Sequence, residues 1–199
     1  MTIIAFDFET NGLPLWNVAS DDPRQPHIVQ MALVAYTDTG LEMTHDCVIV
    51  RPDGWTITPE LTAIHGISYQ RAMDEGIPEK AAAEMYLDTM TDAVLRVAHN
   101  VAFDVRIARI ALLRSGYARG LIEKLEARPQ FCTCETAKPI VKAPLTQKQI
   151  AAGFGGFKSP NLAETMRHFF DEEIKGAHDA LVDARCSGRI YFHMTKVPA

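Results

Sequence analysis

Residues 3–12 read IIAFDFETNG. Ile3, Ile4, Ala5, Phe6 and Phe8 form the apolar run of a buried strand, and Asp7 and Glu9 are set inside it. Side chains alternate along a strand, so the two acids point to the same face. A carboxylate within an apolar strand is costly unless something compensates its charge. Two arrangements would do so. A divalent cation could sit between the acids, since hard cations take oxygen ligands. Alternatively, both acids could lie partly exposed at the strand end with Lys or Arg partners. Either way they fall at the C-terminal end of the strand, where open α/β sheets place their ligands.

Outward from this strand, residues 12–26 (GLPLWNVASDDPRQP) carry the punctuation of a loop. Residues 27–36 and 42–50 read as two further strands joined by a hairpin turn at 37–40 (TDTG). A helix begins at 58–68, with Thr58 as N-cap, Pro59 in the first position and Glu60 in the first turn. Residues 77–95 favour helix by propensity, 96–99 form a short buried strand, and 100–116 an amphipathic helix ending at Gly116. A short strand at 129–133, a helix at 159–170 entered through Ser159-Pro160, and a last helix at 178–195 complete the pattern. Residues 136–158 show no usable period and are expected to be loop. Strands interleaved with helices imply one mixed α/β domain over residues 1–199.

The bulk numbers narrow the function. Hydrophobic residues make up 47 % of the 199 and charged residues 23 %, the balance of a soluble globular protein. The formal net charge is -5, whereas proteins that grip nucleic acid by charge alone are usually basic. A nucleic-acid ligand would therefore need a bound cation or a local basic patch. One such patch exists. Between Glu135 and Glu164 the chain has Lys138, Lys142, Lys148 and Lys158 and no acid, with Phe154 and Phe157 interleaved. Lys142, Lys148 and Lys158 are thus candidates for guiding a strand, with the aromatics as base platforms; a solvated loop is the competing reading. The four cysteines form no CxxC and read as reduced thiols. No basic leader precedes the first strand, and no run approaches the ~18 apolar residues of a membrane span, so a cytoplasmic protein is expected.

Two further pairs carry potential chemistry. In HNVAFD (99–104), Asn100 and Asp104 are four apart and share a helical face. In GAHDALVDAR (176–185), His178 and Asp183 are five apart, about 140° around an ideal helix. They reach one site only if His178 lies in the loop entering the helix. GFGGFKS (153–159) is not a phosphate-binding P-loop, because Phe157 stands where the glycine before the lysine belongs. His27, His45 and His168 lack partner spacing and read as structural.

Taken in order, DFET, HNVAFD and HDALVDA resemble the three motifs of the DEDDh branch of the DEDD 3′–5′ exonucleases, related to the proofreading subunit of bacterial DNA polymerase III. LTAIHGIS (61–68) adds a softer match, and the resemblance spans residues 2–110 and 158–193. It implies an α/β, ribonuclease H-like fold with a central mixed five-stranded sheet flanked by helices. It also implies two Mg²⁺ or Mn²⁺ ions held by Asp7, Glu9, Asp104 and Asp183. Asp7 would bridge the ions, Glu9 and Asp183 would serve the one that holds the attacking water, and Asp104 would support the other. His178 would act as general base, a role suited to imidazole near neutral pH. Thr10, Leu13, His65, Asn100 and Phe103 would hold the terminal nucleotides. The expected reaction is stepwise release of nucleoside 5′-monophosphates from the 3′ end of single-stranded DNA. An RNA-directed exonuclease carries the same motifs. A catalytically silent nucleic-acid-binding module usually loses one of the acids, and here all are present. No long tail that would tether a polymerase is expected after the last helix.

Overall fold

The computed structural model describes residues 2–195. Its sheet has strands β1 (Ile3–Thr10), β2 (Ile28–Tyr36), β3 (Glu42–Ile49), β4 (Leu95–Ala98) and β5 (Gln130–Cys132). Their order is β3-β2-β1-β4-β5. β1 pairs antiparallel with β2 and β2 antiparallel with β3, while β1–β4 and β4–β5 are parallel. This is the mixed five-stranded sheet of the ribonuclease H-like fold. The helices are α1 (Pro59–His65), α2 (Tyr69–Glu75), α3 (Glu79–Asp92), α4 (Val101–Arg114), α5 (Arg119–Glu126), α6 (Thr133–Val141), α7 (Gln147–Ala151), α8 (Leu162–Phe170) and α9 (Ala180–Thr195). None is long and apolar enough to cross a membrane.

Alternation along β1 sorts the core into two sides. Ile4, Phe6 and Phe8 face a large cluster with Tyr86 and Met90 of α3 and with α4. Ile3 and Ala5 face the other way, onto Ala180 and Ala184 of α9. The small residues on this second face let α9 lie close to the sheet. Gly188 shows how close, because a Cβ there would meet the Tyr36 ring of β2 at 2.8 Å.

Several local readings change. The helix expected over 58–68 ends at His65, α2 and α5 lie where no element was expected, and the last helix begins at Ala180 and not at 178. Residues 136–158 are not all loop: they hold the end of α6 and the whole of α7. Pro139 inside α6 conceals the first helix, and α7 is only 5 residues long, although a Thr146–Gln149 capping box opens it. The helix expected from 159 begins instead at Leu162, capped by Asn161, whose side chain accepts from Glu164 N–H. The segment 77–95 is helical only over Glu79–Asp92, and Leu95 already belongs to β4.

Candidate active site

β4 pairs with β1 only from Ile3 to Ala5, so β1 runs on past the end of its parallel neighbour. The opening at the carboxyl ends of these strands is filled by the start of α4. Asp104, in the first turn of α4, is buried, and its Oδ1 accepts the Phe8 N–H at 3.2 Å. The helix thus supplies the acceptor that β4 does not. Asn100, just before α4, has left-handed backbone (φ 74) and turns the chain sharply from strand into helix.

Asp7 and Glu9 share the α9 face, as their spacing requires. α9 brings Asp183 onto them from its first turn. His178 lies in the entering loop, exposed, with left-handed backbone (φ 66). Its N–H donates to Asp183 Oδ2 at 3.2 Å, which folds the loop back over the helix start. Ligating atoms of Glu9, His178 and Asp183 all lie within 4.8 Å of one another. The five residues of the three motifs therefore converge, although His178 and Asp183 do not share a helical face.

The electrostatics of this cluster are unbalanced. Burial raises the Asp7 carboxyl well above its usual range, and Asp104, Asp183 and Glu9 push it further. Burial, then Asp183 and Asp179, push Glu9 up to about 8. Asp104 is raised chiefly by burial, against the pull of the Phe8 N–H. Burial takes Asp183 to about 6, although the His178 N–H works in the opposite direction. Among the described residues, no lysine or arginine forms an ion pair with any of these four acids. Asp183 Oδ1 is buried and has no hydrogen-bond partner there. An orphaned carboxylate oxygen among converging acids fits a hard divalent cation with oxygen ligands.

The residues expected to hold nucleotides are placed as follows. His65, the last residue of α1, is buried. Its Nδ1 accepts the Ile67 N–H at 3.2 Å, so Nε2 carries the ring proton, and Nε2 has no partner among the described residues. Burial, and then the neighbouring His178, lower the pKa of His65. Leu13 is 79 % exposed on the loop after β1. Phe103 is half-buried on the first turn of α4 and Asn100 is exposed. The Thr10 hydroxyl is used locally, donating to Gly12 O at 2.7 Å. Lys142 and Lys148 are exposed on α6's C-cap and on α7, but Lys158 is drawn into an ion pair with Glu164.

Sequence reading missed two residues beside the acids. Asp179 precedes α9 and its charge reaches Asp7, Glu9 and Asp183. Gln30 lies across from Glu9 in the β1–β2 register and is 4 % exposed. The available signal was a polar residue in an otherwise apolar strand, IVQMALVAY.

The family model described as Exonuclease (RNase_T) matches residues 4–191. The chain belongs to this exonuclease family. No match was found among curated protein sequences. Among solved structures, E. coli Exonuclease I in complex with a dT13 oligonucleotide superposes with a TM-score of 0.75 at 19 % identity, covering 98 % of this chain and 41 % of that one. The zinc-bound form of an E. coli Exonuclease I–single-stranded DNA complex gives 0.71 at 18 %, covering 96 % and 39 %. Exonuclease I from Methylocaldum szegediense gives 0.72 at 18 %, covering 97 % and 40 %. The exonuclease-family chain thus spans about two-fifths of the length of these structures, and the likeness bears out the ribonuclease H-like fold.

Proposed function

We propose that this chain is a single-domain, metal-dependent 3′–5′ exonuclease that releases nucleoside 5′-monophosphates from single-stranded DNA. The observation that carries the reading is the meeting of Glu9, His178 and Asp183 within 4.8 Å beside Asp7 and Asp104, with no lysine or arginine among the described residues paired to these acids. Family membership supports exonuclease chemistry, and complexes of similar folds with single-stranded oligonucleotides support the substrate class.

Asp7, Glu9, Asp104 and Asp183 would hold two Mg²⁺ or Mn²⁺ ions. Bound divalent ions supply Lewis-acid activation of a water and charge neutralisation at the phosphate. His178, exposed in the loop beside Glu9 and Asp183, would take the proton from the attacking water at an imidazole nitrogen. The loop position leaves the ring free to move toward solvent with that proton. His65 would offer its unpartnered Nε2–H to the substrate phosphate or sugar. Leu13 and Phe103 present apolar surface for the terminal bases, and Thr10 and Asn100 border the same strand and helix ends. Lys142 and Lys148 would attract upstream phosphates, while Lys158 would act only if it leaves Glu164. Four free thiols suit a reducing, cytoplasmic setting.

The test is digestion of 5′-labelled single-stranded DNA, duplex DNA and RNA with Mg²⁺ or Mn²⁺. A ladder shrinking from the 3′ end of single-stranded DNA, blocked by a 3′-phosphate and by EDTA, is expected. Faster digestion of RNA would reassign the substrate. Undiminished activity in excess EDTA would remove the metal-dependent reading.

A further inference from the structure

We propose that Gln30 and Asp179 form a clamp that positions His178 and Asp183 against Glu9, which makes both of them positioning residues for the reaction; this rests on the exonuclease reading above. Gln30 is a polar residue in a strand that is buried along its whole length. A buried amide must use its donor and acceptor or lose stability. Gln30 uses both. Its Oε1 accepts the Ala180 N–H at 3.0 Å. Its Nε2 donates to Asp179 Oδ2 at 3.1 Å and, more weakly, toward Cys47 Sγ at 3.4 Å. The orientation is dictated, since an N–H of the helix can meet only the amide oxygen.

Asp179 completes the unit. Its Oδ1 accepts the Leu181 and Val182 N–H groups at 3.1 and 3.2 Å. The free N–H groups that open α9, those of Ala180, Leu181 and Val182, are therefore all satisfied by these two side chains. Both oxygens of Asp179 accept hydrogen bonds, which ties its carboxylate to the helix start and to Gln30 although it stands among the acids. Ordinary capping uses one residue adjacent in sequence. Here the cap is anchored to a strand about 150 residues away, by hydrogen bonds of sequence separation 149 and 150.

The anchor point matters because of what lies beside it. Gln30 is the cross-strand partner of Glu9. His178 directly precedes Asp179, and Asp183 follows one turn later with its N–H on Asp179 O at 3.0 Å. The clamp thus ties the strand position opposite Glu9 to the helix start that carries the other two members of the cluster. It also holds the chain where His178 adopts a left-handed conformation, which a residue with a Cβ resists. Packing through Ala180 and Ala184 sets the helix on the sheet, and the clamp adds a directional tie at the helix start itself, beside Glu9.

A swap of donor and acceptor tests this directly. Gln30→Glu sets a carboxylate against Asp179, and Asp179→Asn sets an amide donor against the Gln30 donor. In the double variant the new carboxylate accepts from Ala180 N–H and from the new amide, with the net charge of the pair unchanged. Each single variant is expected to lose about 10–100-fold in kcat with KM little altered, the usual cost of disturbing groups that orient ligands. The double variant is expected to recover about 10-fold or more of that loss. Amide exchange over residues 180–183, measured without metal or substrate, should speed up in each single variant and slow again in the double. A double variant slower than both singles would overturn the clamp, as would singles at the wild-type rate. If the wild-type protein degrades no nucleic acid, the functional reading fails, and the exchange pattern still decides the clamp.

Discussion

Two half-buried glutamates on opposite sides of the sheet are treated in opposite ways. Glu79 opens α3, with its carboxylate accepting from His27 Nδ1 at 2.8 Å, the Ile28 N–H at 3.1 Å and Arg114 Nη1 at 3.0 Å. Burial works against its charge, but His27 and Arg114 more than offset that and hold it below the usual glutamate range. Glu9 meets burial without such partners among the described residues and is pushed up to about 8, with Asp183 and Asp179 adding to the shift. The same desolvation cost is answered within the chain at one site and left open at the other. A closed charge network serves the fold; an open one is what the proposed metal-dependent reading requires.

The largest expected effect comes from breaking the open site. Asp7→Asn should drive turnover to the detection limit while raising Tm in EDTA, because it removes one of several repelling, poorly solvated charges. An active Asp7→Asn enzyme would contradict the assignment of the acids. Next, His178→Ala should lower kcat by about 10²–10⁴-fold, the range for lost acid–base help, with Mn²⁺ affinity little changed. Calorimetric loss of Mn²⁺ binding with only a small rate loss would make His178 a ligand instead of a base. Glu79→Gln should invert the pattern. Breaking its pairs leaves Arg114 uncompensated at a cost of about 3 kcal/mol, lowering Tm by about 6–12 °C at this chain size, with kcat unaffected.

pH should separate the two sites without mutation. The Glu9 carboxyl titrates near 8 when folded and near the ordinary glutamate value of 4.5 when unfolded, so the folded state binds the proton more tightly. Its protonation favours folding fully below about 4.5, and that advantage is lost as pH rises through about 8. Asp183, raised to about 6, acts in the same direction over a lower window. Tm in EDTA should therefore climb as pH is taken from 8 toward 6, and saturating Mn²⁺ should flatten the climb. A flat profile in EDTA would show that the acids are already compensated. The smallest effect belongs to Lys142→Ala with Lys148→Ala. KM for a long single strand should rise, and the salt dependence of binding should fall by about 0.7 in slope for each phosphate no longer neutralised. Cleavage of a dinucleotide should be indifferent to the change, and an equal loss on both substrates would remove the strand-guiding role.

The contrast also explains what sequence could disclose. Asp7 and Glu9 were legible because charge inside an apolar strand violates its own pattern, and Asp104 and Asp183 because their spacing completes an ordered set. The sheet was legible where apolar runs are long, as in β1 and β2. Gln30 and Asp179 were not, because their meaning is a hydrogen bond between residues about 150 apart, and no local period encodes it. Nor was the Glu79–Arg114–His27 network, for the same reason. α6 and α7 were lost to a proline inside one and to the brevity of the other. Lys158 looked free in a run without acids, yet Glu164, just beyond that run, claims it.

Gly188 has no chemistry to offer, and that is its importance. It lies about one and a half helical turns beyond Asp183 on a helix that touches the sheet through Ala180 and Ala184. A methyl group at 188 would strike the buried Tyr36 ring, so either the ring or the helix must give way. Where the helix gives way, Asp183 moves with it relative to Glu9. Positions that tolerate no added atom can therefore be as decisive for turnover as the acids themselves, and a search for inactive variants should find them on the silent, hydrocarbon side of the helix.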